Sequence, residues 1–160
     1  MLILPYLGEQ GLYNQFHLGE PWDSEHNKTL LAQMPEVYKA PGSTVAAQWK
    51  TNYLTVRGKD SIFSGPTPNK FSSVRDGLSR TIMTVEVSDA RAVEWTRPDD
   101  FEFNPQNPIE GLIGLREGCF VAGMADGSVT FVPASTSTDT LLGWFNKSDR
   151  KSEEIPIELR

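Results

Sequence analysis

An Asp-Gly pair between two apolar, strand-like runs is the feature that most constrains how this chain can fold. The stretch GMADGSVTFV occupies residues 123–132, with Asp126 followed by Gly127. Such a pair predicts a two-residue hairpin turn of type I′, because both central residues of that turn need a positive φ. We therefore interpret Asp126 and Gly127 as structural turn residues, and not as part of a reactive site.

The same turn predicts which residues of the hairpin face each other. Closing the chain there sets Met124 opposite Val129. It also sets Ala122 opposite Phe131. Opposed residues share one face of a sheet, so these four would form a single apolar face, with Thr130 on the other side. A slip of one residue would mix the two faces.

The rest of the chain carries both strand and helix signals, and its 160 residues suit one loop-rich domain. Strands are predicted at residues 51–58 and 82–87, and short helices at residues 5–16, after a cap at Asp23 or Ser24, and after a cap at Ser137 or Thr138. We expect a single globular domain at residues 1–146 and a mobile C-terminal tail at residues 147–160.

Charge and cysteine content exclude several classes of partner and site. The net charge is -6, from 21 acidic and 15 basic residues, which argues against a nucleic-acid partner. The single cysteine, Cys119, rules out an intrachain disulfide, and we interpret it as a half-buried small hydrophobe. No run approaches the roughly 18 apolar residues of a membrane span, so we expect the chain as given to be soluble.

Catalytic and metal-binding motifs are weak throughout the sequence. There is no G-x-S-x-G elbow and no Gly-rich phosphate loop, so we expect no catalytic residue and no enzyme. His17 and His26, with Asp23 and Glu25, could form a metal site, but their spacing is not i, i+4. We therefore favour no metal there, with His26 as a cap or surface hydrogen-bonding residue.

The long segment at residues 96–118 is the predicted place of any ligand recognition, because it mixes aromatic and charged residues in a Pro- and Gly-rich loop. The candidate ligand-binding residues are Trp95, Asp99, Asp100, Phe101 and Arg116.

Three details of that segment define alternatives. An exposed Trp95 could stack on a sugar ring, but we favour the alternative in which Trp95 covers the core under the loop. We expect no cofactor, and calcium bound by Asp99, Asp100 and Glu102 is the open alternative. Arg116 is expected to pin the loop to the sheet through one of these three carboxylates.

Several stretches resemble a planctomycete family of pseudopilin-like proteins of unknown function, which begin with a prepilin-type cleavage and methylation segment. AGMADGSVTFV looks like the C-terminal signature of that family, which is a His, nine intervening residues and Asp-Gly. Here Asp126 and Gly127 match, and Arg116 stands at the His position. LILPYLGEQGLYNQFHLGEPWDSEHNKTLL is similar to the opening block of the family, and VRDGLSRTIMTVEV to a strand-entry segment.

The resemblance covers about residues 2–145 and implies both a fold and a role. It implies an α+β, pseudopilin-like domain in which short N-terminal helices pack on an antiparallel sheet with long loops. This chain would be the soluble globular part, and the full-length protein would reach the membrane only through an N-terminal helix that this chain lacks. The expected location is the cell envelope, on the extracytoplasmic side or outside the cell.

The implied function is a non-catalytic structural or binding role in a pilus-like or secretion-linked assembly, with other pseudopilin-like subunits or envelope proteins as partners. The alternative is a glycan or small-solute binding module that uses the 96–118 loop. A hydrolase with an unrecognised site is the third hypothesis.

Overall fold

Short helices and strands make up the part of the chain that the computed structural model describes, residues 1–65, 67 and 69–149. Its α-helices are α1 (Gln10–Tyr13), α2 (Glu25–Thr29) and α3 (Thr138–Phe145). Its strands are β1 (Lys50–Thr51), β2 (Tyr53–Arg57), β3 (Ile82–Glu86), β4 (Val93–Glu94), β5 (Phe101–Glu102), β6 (Cys119–Met124) and β7 (Val129–Pro133). Short 3₁₀ helices lie at Leu4–Leu7, Leu30–Gln33, Glu36–Tyr38, Ala46–Gln48, Phe71–Ser73, Leu78–Arg80 and Asp89–Arg91.

The strands form a five-stranded sheet in the order β5-β2-β3-β6-β7 and a separate two-stranded ribbon of β1 and β4. This combination confirms the α+β class. The sheet is not purely antiparallel, however, because β5 pairs in parallel with β2, Val56 lying beside Phe101. The 96–118 segment, which is predicted to be a loop, therefore contributes one short strand to the sheet.

The main hydrophobic core lies on one face of the sheet. Alternation along β2 turns Leu54 and Val56 inward, and Val85 of β3 joins them. Helix α3 closes this core with Trp144 and Phe145. Its N-cap is Ser137, whose hydroxyl accepts a hydrogen bond from the backbone N–H of Thr140 at 3.1 Å.

The N-terminal helices form a second, smaller core of their own. It consists of Leu4, Leu12, Phe16, Leu30, Met34 and Trp95, so the helix in the core of the main sheet is α3 and not the N-terminal pair. The predicted helix at 5–16 is broken, because Gly8 adopts φ 82° and ends the first turn. The predicted cap of α2 at Ser24 is confirmed, because the Ser24 hydroxyl accepts a hydrogen bond from the backbone N–H of Asn27 at 3.1 Å.

The hairpin of β6 and β7 is present, but its register differs from the prediction by one residue. Val121 lies opposite Phe131, and Ala122 lies opposite Thr130. The loop has three residues, because the backbone N–H of Met124 donates to the carbonyl of Ser128. Of the loop residues, only Gly127, at φ 87°, is left-handed. This geometry is a turn followed by a glycine bulge, which shifts the pairing relative to a type I′ turn. The predicted apolar face is therefore wrong.

The start of the predicted tail is attached to the domain. The backbone N–H of Lys147 donates to the carbonyl of Asp60 at 2.9 Å, and the carbonyl of Lys147 accepts from the N–H of Arg75 at 2.7 Å. Lys147, the first residue of the predicted tail, is thus bonded to the domain. The remainder of the predicted tail, residues 150–160, lies outside the described residues.

Candidate functional site

Trp95 lies in a hydrophobic core, as the favoured alternative expected, and not on a recognition surface, as its place among the candidate ligand-binding residues implied. Its side chain is 4% exposed, at the centre of the N-terminal core. The indole N–H donates to the carbonyl of Leu31 at 3.0 Å, and the ring of Phe16 meets it edge-on with centroids 5.9 Å apart. Burial of both the ring and its polar group leaves no face for a sugar.

The other candidates in the 96–118 loop are dispersed. Phe101 is buried in the main core, so it cannot contact a ligand on the surface. Asp99 is exposed and pairs with Arg97 at 3.2 Å. Asp100 accepts from the Thr55 hydroxyl and from Arg57 at 3.2 Å, which ties the loop to β2.

Arg116 does pin the loop to the sheet, but its partner is Glu86 of β3 and not Asp99, Asp100 or Glu102. Its Nε and Nη2 donate to the two carboxylate oxygens of Glu86 at 2.5 and 2.9 Å. The Glu86 side chain is 1% exposed, whereas the Arg116 side chain is 28% exposed. The Glu86 carboxylate raises the pKa of the Arg116 guanidinium, mainly through the hydrogen bond. A fork-to-carboxylate pair of this kind fixes orientation as well as charge.

The ion pair lies on the outer face of the main sheet, opposite the core. Tyr53 pairs with Glu86 across β2 and β3, and Val121 pairs with Phe131 across β6 and β7. The Arg116 guanidinium lies over the Phe131 ring, 5.8 Å from its centroid. Burial first, and then the Glu86 carboxylate, raise the pKa of the Tyr53 hydroxyl. The outer face therefore has a buried charge pair at its centre and aromatic residues on either side.

Strand β7 is one edge of this sheet, and it presents apolar side chains to solvent. Val129 and Phe131 are 59% and 50% exposed. Hydrogen bonds from Met124 to Ser128 and from Ala134 to Gly118, each 2.8 Å, mark the paired positions. Because paired and unpaired positions alternate in an antiparallel ladder, the backbone groups of Val129 and Phe131 point away from β6. We call the outward side of Val129–Pro133 the β7 edge.

Asp126 and Gly127 occupy the tip of the hairpin next to this edge. The Asp126 carboxylate accepts from the backbone N–H of Ser128 at 2.9 Å and from its hydroxyl at 2.6 Å. Such a bond to the residue two positions on is a common way for Asp to hold a turn. The contacts seen at Asp126 hold the turn.

An acidic clamp at Asp89 was not anticipated from the sequence. Its carboxylate accepts from the Ser43 hydroxyl at 2.7 Å, from the backbone N–H and hydroxyl of Thr44 at 2.9 and 2.7 Å, and from the Asn52 amide at 2.9 Å. These bonds, those from Thr44 first, hold the pKa of Asp89 far below its usual range. The clamp joins the 43–45 loop to the sheet, which is a structural task.

Trp49 has a backbone conformation that the sequence did not predict. It has φ 58° and ψ 35°, the left-handed region that a bulky residue rarely adopts. Its side chain is 46% exposed, and its carbonyl accepts from the N–H of Trp95 at 3.0 Å. An exposed aromatic ring on a strained backbone is a feature found at ligand contacts.

Metal ligands do not converge in the part of the chain that is described: no group of three or more His, Cys, Asp or Glu side chains there could hold an ion. His17 and His26 stack with ring centroids 3.6 Å apart. Each ring has its own partner, His17 the Glu20 carboxylate at 2.9 Å and His26 the Gln15 carbonyl at 2.8 Å. Within the same described residues, every helix is too short or too polar to span a bilayer.

Comparison with known proteins gives one similarity. Residues 38–114 match a family model described as a protein of unknown function (DUF1559). No curated protein and no solved structure matches the chain significantly. The matching span contains the Asp89 clamp and Glu86, and it ends just before Arg116 and the hairpin.

Proposed function

We propose that this chain is the non-catalytic, extracytoplasmic part of a pseudopilin-like envelope protein, with a structural role in a pilus-like or secretion-linked assembly. The observation that supports this proposal most directly is the β7 edge. It combines outward backbone groups with two exposed apolar side chains, Val129 and Phe131. An edge of this kind binds an extended segment of another protein by adding a strand.

The occupant that we propose is an extended segment of a neighbouring pseudopilin-like subunit. An added strand would pair with the free N–H and carbonyl groups and would cover the two apolar side chains. Arg116, partly exposed beside Phe131, would offer a positive charge to an acidic residue of that segment. Pro133 has no N–H and ends the edge, so the added ladder would be short.

Site-specific photo-crosslinking in cells that make the full-length protein tests this proposal. A photoreactive phenylalanine analogue replaces Phe131, and the matched control carries it at Phe71, which is also exposed but lies outside the sheet. We expect Phe131 to cross-link to an envelope subunit with a prepilin-type N-terminal segment and Phe71 not to do so. Equal cross-linking from both positions, or none from Phe131, would contradict the proposal.

A backbone variant separates strand addition from simple apolar contact. Val129→Pro removes an N–H that points outward and leaves the bonds to β6 in place, whereas Val129→Thr keeps the N–H and reduces only the apolar surface. We expect Val129→Pro to lose the Phe131 cross-link and Val129→Thr to retain most of it. Retention in both variants would show that no strand is added.

Glycan or small-solute binding is the second candidate function, and Trp49 is the observation that favours it. Trp95 and Phe101, the two aromatic candidates, are buried, whereas the ring of Trp49 is exposed. Quenching or enhancement of tryptophan fluorescence by soluble glycans, lost in Trp49→Asn, would support this function. Binding that survives this substitution would exclude Trp49 as the platform.

A further inference from the structure

A basic cleft lies beside the residues that follow α3. Three cations line it: Lys70, Arg75 and Lys147. Serine hydroxyls, including those of Ser72 and Ser148, line the same cleft. The chain as a whole has a net charge of -6, so a cleft lined by three cations is a local reversal of the field.

Among the described residues, the Lys147 ammonium is held in place by neutral groups only. It donates to the Ser61 carbonyl at 3.0 Å, to the Ser64 hydroxyl at 3.1 Å and to the amide oxygen of Asn69 at 3.1 Å. All three of its protons are thereby used, and none goes to a carboxylate. A cation that is fixed without a counter-ion leaves an unneutralised positive charge at the wall of the cleft.

The other two cations also lack an ion-pair partner among the described residues. Within the described part of the chain, neither Lys70 nor Arg75 forms an ion pair. The neighbouring acids have other bonds: Asp76 accepts from the backbone N–H of Asp149 at 2.9 Å, and Asp149 accepts from the Asn146 amide at 3.1 Å. The positive charge of the cleft is therefore available to a ligand.

We infer that this cleft binds a tetrahedral oxyanion, a phosphate or sulfate group. Arg75 supplies a planar fork that can bond two oxygens of such a group, and the lysines act as point charges. Serine hydroxyls can donate to the remaining oxygens. The shared chemistry is the oxyanion group, which can come as a free ion or as a substituent of an envelope polymer. The inference is independent of the β7 edge.

Titration of the described amides by NMR with four probes tests the inference. The probes are inorganic phosphate, inorganic sulfate, dextran sulfate and uncharged dextran. We expect saturable shifts of the backbone amides of Lys70, Arg75 and Ser148 with at least one anionic probe and none with dextran. Saturation by the inorganic ions would identify a free-ion site, and saturation only by dextran sulfate would identify a site for a polymer substituent.

Charge-matched variants show whether the cleft itself is responsible. Arg75→Gln and Lys70→Gln should each weaken binding about tenfold, since each removes a charge-assisted hydrogen bond. Lys28→Gln removes the same charge from an exposed position in α2 and should leave binding unchanged. No saturable shift with any anionic probe, or equal weakening by Lys28→Gln, would overturn the inference. Lys147 is left intact because its bonds support the surrounding loop.

Discussion

Removing the guanidinium of Arg116 should lower the free energy of unfolding of this domain more than removing its carboxylate partner does. Arg116→Met leaves the Glu86 carboxylate, 1% exposed, without its two hydrogen bonds. Breaking a buried pair in this way costs about 3–5 kcal/mol, because the remaining charge is neither solvated nor paired. We expect a loss near the lower end of that range, since Arg116 is itself 28% exposed and some water already reaches the pair.

The opposite single change should cost less. Glu86→Met leaves a guanidinium that can turn toward solvent and remain near the Phe131 ring. The loss is then about 1–3 kcal/mol, the range for hydrogen bonds to a charged group. The double variant Glu86→Met/Arg116→Met removes both charges and should be more stable than Arg116→Met alone, because nothing buried is left ionised.

The wild type, the two single variants and the double variant form a double-mutant cycle. Chemical denaturation followed by tryptophan fluorescence measures the free energy of unfolding of each. The decisive quantity is the coupling free energy, the amount by which the double variant departs from the sum of the single losses. We expect a coupling of about 2 kcal/mol or more. The slope of the unfolding free energy against denaturant concentration should be the same in all four proteins. Additive losses, or equal losses from the two single variants, would refute the assignment of a buried, oriented ion pair to this face.

Three further substitutions test other parts of the structure. Asp89→Asn should destabilise the fold by about 1–3 kcal/mol near neutral pH. Because its hydrogen bonds lower the pKa of Asp89, this difference should fade as the pH falls below about 4, toward the lowered folded pKa; a difference that stays constant in acid would contradict the clamp. Trp49→Asn should be more stable than Trp49→Ala by about 0.5–1 kcal/mol in thermal melts, because Asn tolerates the left-handed backbone better; a more stable Trp49→Ala would count against strain. Gly127→Val should cost about 1 kcal/mol or more at φ 87°, whereas Asp126→Asn should be nearly neutral because an amide oxygen can still accept from Ser128; a large loss of binding in Asp126→Asn with stability intact would argue for a functional carboxylate.

The sequence was sufficient for the longer strands and the helix caps, but not for the short strands β4 and β5 or for the hairpin register. Leu54 and Val56 alternate with polar residues, and Ser24 and Ser137 precede their helices at the right distance, so local rules decide these elements. The Asp-Gly pair is compatible with both a two-residue and a three-residue loop. Burial of Thr130 and Val132 in the core selects the latter, which is a tertiary effect.

The candidate site shows the same division between local and long-range information. The sequence predicted that Arg116 anchors its loop, yet the three carboxylates considered were all nearby in the chain. The partner, Glu86, is 30 residues away, and its signal was a single acid in the apolar run IMTVEV. A buried charged residue in a central strand needs a partner of opposite charge. Glu86 is the acid of this run, so a cation should be sought for it.

The two faces of the main sheet differ from its β7 edge in what they expose. The inner face packs against α3 in the main core. On the outer face, the carboxylate of Glu86 is bound by the Arg116 guanidinium. At the β7 edge, backbone groups and apolar side chains are exposed together. Natural proteins seldom leave such an edge uncovered, and contact with another chain is the simplest way to cover it.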